Sequence, residues 1–299
     1  MRLATLHTGG APYPAWIEGE RAYRIAVSPR DMLELIERWT SAPDAVRPDG
    51  EGRTLADCTL LPPLFPLRRN AFCVGWNYQA HFDEGARDRS NPAVKEIPPR
   101  PTLFSKATTA IAGPFDDLPL HEAATAKLDW EVELAVVIGR AGVDIPQARA
   151  LEYVFGYAVA NDVSARDLQR AHGGQWFKGK SLDASSPLGP WIVTTDEVSD
   201  PQVLEIECSV NGVVKQKSNT RHQIFPVARI IAELSQGMTL LPGDVILTGT
   251  PDGIGNAREP PEYLQAGDLL ESRIAGLGAL RNRIRSGAVP DVTRNRSHA

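Results

Sequence analysis

The chain has 299 residues, 32 basic and 37 acidic side chains for a net charge of -5, and 42% hydrophobic content. That length and apolar fraction suit one large or two modest globular domains and exclude intrinsic disorder. The mild acidity, spread without a long Lys/Arg run, removes the footprint a nucleic-acid partner needs, and no stretch reaches the roughly 18 to 20 apolar residues that span a bilayer.

The opening residues lack the apolar core of a signal peptide, so a cytoplasmic location is expected. Cys58, Cys73 and Cys208 are odd in number and widely spaced, which argues against a disulfide framework or a thiolate zinc site. In chain order, residues 1–66 predict a small α+β N-terminal domain: strand-like 16–27, an amphipathic helix over 31–39, then a Pro/Gly/Asp-rich passage over 43–52. Pro62, Pro63 and Pro66 mark a border, because clustered prolines interrupt both helix and central strand. Residues 67–285 predict a second, sheet-dominated domain, with strands at 132–138, 154–160, 191–194, 203–210 and 245–248. Asn211-Gly212 predicts a hairpin turn, and helices are expected over 146–153 and 224–234. Repeated βαβ alternation is absent, which argues against a doubly wound parallel sheet, and 286–299 has the character of a flexible tail.

The most informative string runs from Leu128 to Gly139. With a side-chain period of two, Glu131 and Glu133 share one face of the strand while Val132, Leu134, Val136 and Ile138 share the other. Two adjacent carboxylates on a buried face need compensation, which a hard divalent cation supplies; on the solvated face of an edge strand they need none. Asp162, where an apolar strand breaks into Val163-Ser164-Ala165, is a third candidate ligand. Three carboxylates without nearby Cys or paired His favour Mg²⁺, Mn²⁺ or Ca²⁺ over zinc.

His81 and Glu84, three apart on a short helix, form either an acid/base dyad or an incidental pair on an exposed charged helix. The charged, Gly- and Pro-containing segment 85–101 after them has the composition of a closing lid. Lys180, among aromatic and small residues, is a candidate fixed cation for substrate charge, and its Gly-Lys-Ser setting lacks the rest of a nucleotide-phosphate loop. The stretch 248–255, which includes Gly249 and Thr250, offers hydroxyls and backbone N–H groups either to an anionic ligand or to a plain sheet-closing turn.

These strings occur in one combination: Gly75-x-Asn77-Tyr78-x-x-His81-x-x-Glu84, Leu103-Phe104-x-Lys106, Asp129-x-Glu131-x-Glu133, Asn161-Asp162-Val163-Ser164-Ala165-Arg166-Asp167, Gly179-Lys180-Ser181-x-Asp183 and Thr248-Gly249-Thr250-Pro251. Over residues 70–282 the chain resembles the fumarylacetoacetate hydrolase family, in particular its metal-dependent acylpyruvate hydrolases. The resemblance implies an α+β, predominantly β fold, a mixed β-sandwich roll with a smaller N-terminal domain, and a homodimer. It implies Glu131, Glu133 and Asp162 as ligands of Mg²⁺ or Mn²⁺, His81 and Glu84 as the water-activating pair, and Lys180 as electrophilic partner. Gln169, Thr250, Gly249 and Lys106 would contact a small 2-oxo or 2,4-dioxo acid, with Arg166 and Asp167 bracing the site from behind. The implied reaction is hydrolysis of the carbon–carbon bond of a 2,4-dioxo acid through a metal-stabilised enolate. Oxaloacetate decarboxylation and 2-oxo acid isomerisation or hydration draw on the same electron sink and stay open. A non-catalytic binding protein would not need ligand trio, dyad and lysine together. Trp76 and the small run Ala184-Ser185-Ser186 depart from residues common among relatives and are expected to reshape the pocket.

Overall fold

The computed structural model describes residues 1–85 and 96–287. The opening segment contributes strands β1 (Arg2–His7), β2 (Tyr13–Glu18), β3 (Arg21–Ile25), β4 (Pro48–Thr54) and β5 (Thr59–Leu61), with helix α1 (Met32–Ser41) between β3 and β4. The predicted strand over 16–27 is a hairpin, because Gly19 at φ +57 turns the chain between β2 and β3. Asp31 caps α1 by accepting from the Glu34 N–H at 2.8 Å, and Met32, Leu35 and Ile36 form its buried face. The Pro/Gly/Asp-rich passage holds β4, an exposed edge strand that starts at Pro48, where a missing N–H is tolerated.

Beyond the prolines come β6 (Ala71–Gly75), helix α2 (Gln79–Glu84), β7 (Thr102–Lys106), β8 (Ile111–Ala112), β9 (Leu118–Pro119), β10 (Leu128–Asp129) and β11 (Val132–Ile138). Then follow β12 (Val154–Asn161), β13 (Ser164–Ala165), α3 (Arg166–Ala171), α4 (Phe177–Lys180) and β14 (Ser186–Thr194). The rest of the described chain is β15 (Glu205–Val210), β16 (Val213–Asn219), α5 (Val227–Ser235), β17 (Val245–Leu247), β18 (Leu269–Ile274) and β19 (Gly278–Arg285). The helical spacing predicted over 146–153 is realised as a 3-10 segment, Gln147–Tyr153. The hairpin at Asn211-Gly212 has positive φ at both central residues, the conformation such a dipeptide favours.

A large sheet runs β4-β3-β2-β1-β14-β12-β11-β17-β6-β7, with β5 on β1 and β8 on β14; a second runs β16-β15-β18-β19-β9. Most pairs are antiparallel, with parallel pairing at β14/β8, β17/β6 and β19/β9. One apolar core fills the space between the sheets, joining Val132, Leu134 and Val136 to Ile206, Leu270 and Leu280 under Ile230 and Ile231 of α5. A second lies on the other face of the large sheet, where Leu35 and Ile36 of α1 meet Val137, Ala158 and Ile192. The border predicted near residue 66 falls between β5 and β6, yet the sheet continues across it: Arg2 pairs with Val193 and Leu3 with Ile192.

Candidate active site

The acidic group is assembled by β11 and β12. β11 is buried on both faces, between β12 and β17, so the solvated-edge reading of Glu131 and Glu133 does not hold. Pairing of Val132 with Asn161 sets the end of β12 against the start of β11, and the Asp162 N–H donates to the Glu131 carbonyl at 2.8 Å. One carboxylate oxygen from each of Glu131, Glu133 and Asp162 then lies within 4.8 Å of the others, and all three residues are buried.

Cations surround this group. Lys180 Nζ donates to Glu131 Oε2 at 2.6 Å and to Asp162 Oδ2 at 2.7 Å. Lys106 Nζ donates to Asp162 Oδ1 at 2.6 Å, while Arg166 pairs with Asp129 at 2.8 Å and with Glu131 at 2.7 Å. Four buried carboxylates (Asp129, Glu131, Glu133, Asp162) thus face three buried cations (Lys106, Arg166, Lys180), leaving one negative charge in excess. The excess falls on Glu133. Burial, reinforced by the charges of Asp162 and Glu131, drives its carboxyl well above the ordinary range. Burial pushes Glu131 up too, but Lys180, Arg166 and His81 overcome it and hold that carboxyl at about 2. Burial opposes the charge on Lys180, and Asp162 and Glu131 more than compensate, raising its pKa. An all-oxygen donor set, one member of which needs a further positive charge nearby to be held ionised, fits a hard divalent cation, which Glu131, Glu133 and Asp162 would hold.

α2 brings His81 and Glu84 together, with Nδ1 and Oε1 2.8 Å apart. The second Glu84 oxygen accepts from the Gly253 N–H at 2.7 Å, so the loop following β17 fixes the carboxylate that orients the imidazole. From sequence the amides of that loop serve either an anionic ligand or a sheet-closing turn. In the structure they hold the protein's own carboxylates: Gly249 N–H donates to Glu133, and Gly255 and Asn256 N–H donate to Asp129.

Several predicted substrate contacts are therefore placed differently. The Gly249 amide is committed to Glu133. Lys106 is fully buried behind Asp162, its remaining bond going to the Val163 carbonyl at 3.1 Å. Thr250 lines the cleft, but its hydroxyl donates to the Val132 carbonyl and accepts from Gln216. Gln169 lines the cleft and accepts from Arg166 at 3.2 Å. Arg166 reaches the acidic group, whereas Asp167 turns away to bind Thr125 and the Ala126 N–H. Ser185 and Ser186 are buried, and the run Ala184-Ser185-Ser186 contributes nothing to the cleft wall. Of the segment expected to form a lid, residues 86–95 lie outside the described residues.

The cleft is a cavity of about 70 Å³. Glu131, Glu133, Arg166, Arg170 and Lys180 contribute its charged lining, Trp76, Phe104 and Trp176 its aromatic lining, and His81, Gln169 and Asn256 also line it. Trp76 sits at φ +53, a left-handed conformation that costs a bulky residue on the order of 1–3 kcal/mol and persists only where packing holds it. Sequence reasoning gave no role to Asp129, which ties Arg166 to the Gly255 turn; the alternation at 129, 131 and 133 already carried that signal. No such pattern marks Arg170, Asn256 or the Gly253 amide, which arrive from separate loops and helices.

α4 delivers Lys180, and its approach to α3 is set by Gly179, where a Cβ would stand 2.4 Å from the Gln169 nitrogen and 2.8 Å from the Ala165 carbonyl oxygen. Both obstacles are backbone and cannot rotate aside. Gly179→Ala is therefore expected to displace Lys180 and to lower kcat by roughly 100-fold. Steady-state kinetics on folded protein, verified by circular dichroism, checks this; a wild-type kcat would show that helix spacing does not position the lysine.

Residues 70–285 match the family model described as fumarylacetoacetate (FAA) hydrolase, C-terminal. The chain is 40% identical over 264 residues to a mitochondrial oxaloacetate tautomerase of Rattus norvegicus, covering 86% of this chain and 80% of that protein. It superposes on a fumarylacetoacetate hydrolase from psychrophilic Exiguobacterium antarcticum with a TM-score of 0.83 at 38% identity, over 96% of this chain and 100% of the other. A 2-hydroxyhepta-2,4-diene-1,7-dioate isomerase from Mycobacterium marinum matches with a TM-score of 0.75 at 35% identity, over 97% of this chain and 100% of the other.

Proposed function

The chain belongs to the fumarylacetoacetate hydrolase family, and from that premise we propose that it is a divalent-metal-dependent hydrolase cleaving the carbon–carbon bond of a 2,4-dioxo acid. The observation that carries this reading is the His81–Glu84 pair, anchored by the Gly253 amide on a cleft that also holds Glu131, Glu133 and Lys180. Mg²⁺ or Mn²⁺, which Glu131, Glu133 and Asp162 would hold, would supply a Lewis acid for the 2-oxo acid end of the substrate.

With Nδ1 held by Glu84, His81 has Nε2 left to take a proton from water as its oxygen adds to the distal carbonyl carbon. Glu84 stabilises the resulting imidazolium. The bond between the acyl carbon and the methylene carbon breaks, its electron pair delocalises towards the 2-oxo group, and Lys180 stabilises the charge that develops there. Return of the proton to the methylene carbon completes pyruvate, and the acyl group leaves as a carboxylic acid. Water is consumed, and no redox partner is needed.

Tautomerisation of oxaloacetate is a second reading, favoured by the 40% identity to the rat tautomerase. There His81 would carry a proton between the C3 carbon and the enol oxygen, with no water added and no carbon–carbon bond broken.

The test compares 2,4-dioxo acids with oxaloacetate on chelated and metal-replete protein, following enol absorbance together with pyruvate and CO₂ release. Cleavage that disappears with chelator and returns with Mn²⁺ is expected. Mn²⁺ at about 100 times its Kd should raise Tm by about 4 °C. Turnover of oxaloacetate with no pyruvate from any 2,4-dioxo acid would replace hydrolysis by the second reading, and turnover indifferent to chelation would remove the metal.

A further inference from the structure

The cleft is lined by two chemically opposed sets of side chains, and only the charged one takes part in the chemistry above. Trp76 follows β6, Phe104 lies on β7 and Trp176 precedes α4, yet the three rings meet: Trp176 packs edge-to-face on Trp76 at 5.0 Å and on Phe104 at 5.2 Å between centroids. Trp176 reaches this place because residue 75 is glycine; a Cβ there would stand 2.3 Å from its ring. Phe82, beside His81 on α2, packs on Trp76 at 5.8 Å, so the wall is joined to the helix that carries the dyad. Trp76 makes these contacts from a left-handed backbone, a conformation that a bulky residue keeps only where its surroundings hold it.

We propose that Trp76, Phe104 and Trp176 form the acyl subsite and select a 2,4-dioxo acid whose acyl end is uncharged and apolar. The inference deepens the proposed hydrolase reading and rests on it. With the 2-oxo acid end at the carboxylates and Lys180, the acyl end extends towards the rings. There a methyl or methylene group gains contact with apolar surface, while a second carboxylate would surrender its hydration against three aromatic rings. Arg166 is held by Asp129 and Glu131, and Lys180, 5.1 Å from the centre of the Phe104 ring, is shared among Glu131, Asp162 and the charge developing at the 2-oxo end, so neither is left to match a second carboxylate. Arg170 is an exposed residue of the cleft lining, and a diacid that engaged it would reverse the expected preference.

The test is a matched pair on the metal-loaded protein, 2,4-dioxoheptanoate against 2,4-dioxoheptanedioate, which differ only in a terminal methyl or carboxylate. A kcat/KM preference for the monoacid of at least ~10-fold is expected, and Trp76→Gly and Trp176→Leu should each shrink it to within ~3-fold. Trp76→Gly relieves the left-handed strain, so it keeps the test valid if the other variant does not fold. Equal use of the two acids, preference for the diacid, or a ratio unchanged in both variants overturns the proposal. If neither acid is cleaved, hydrolysis itself has failed, and the wall is judged by calorimetric binding of 2-oxoheptanoate and 2-oxoheptanedioate in the presence of Mn²⁺. Tighter binding of the monoacid then upholds it, and equal or weaker binding overturns it.

Discussion

Asp162→Asn is expected to cut turnover by on the order of 10²- to 10³-fold and to destabilise the fold by roughly 3–5 kcal/mol. Both effects follow from one carboxylate serving two ammonium groups, Lys106 at 2.6 Å and Lys180 at 2.7 Å, each almost wholly removed from solvent. Asparagine keeps the shape and loses the charge, so two buried cations lose their shared counter-ion and the acidic trio loses a member. The two consequences can be separated. Adding Lys106→Met removes one orphaned ammonium and should recover part of the lost Tm without recovering turnover. Thermal melts with and without Mn²⁺, alongside kcat, provide the readout; a single variant that keeps the wild-type response to Mn²⁺ would rule out Asp162 as a ligand.

His81→Gln should behave in the opposite way, sparing stability and cation response while lowering hydrolysis by roughly 10²- to 10⁴-fold. Glutamine can still meet Glu84 but cannot accept a proton from water. Loss of C3 hydrogen, followed by deuterium exchange into the methylene of a 2,4-dioxo acid, should fall much less, because the substrate's own acidity and Lys180 support it. Equal losses in exchange and hydrolysis would mean that His81 serves enolisation rather than water activation, and would move the assignment towards tautomerase chemistry.

What the residue order revealed about this site follows a simple physical division. Strand alternation is local, so the shared face of Glu131 and Glu133 could be read from spacing, and the buried setting of β11 turned an ambiguous pair into part of a trio with Asp162. Short-range spacing likewise placed His81 against Glu84. Lys106 resisted such reading because its burial depends on Asp162, 56 positions away. The glycine-rich loop stayed ambiguous for a related reason: its amides do bind anions, but the anions are Glu133, Glu84 and Asp129, brought to it by β11, α2 and the end of β10. The aromatic wall draws on three elements whose juxtaposition no periodicity announces. In the fold, the exposed β4 was hidden by its composition, since an edge strand accepts Pro, Gly and Asp that a central strand rejects.

The contact between β1 and β14 bears on how the molecule could be cut or recombined. On one flank β14 bonds to β12, within the layer that carries Asp162, and on the other it bonds to Arg2 and Leu3. A fragment limited to residues 70–285 would keep every candidate ligand and still expose the unsatisfied amide and carbonyl groups of an apolar border, a template for pairing with another chain. The opening segment is thus a covering strip for the catalytic layer, and any shuffling of this scaffold must supply a substitute for it.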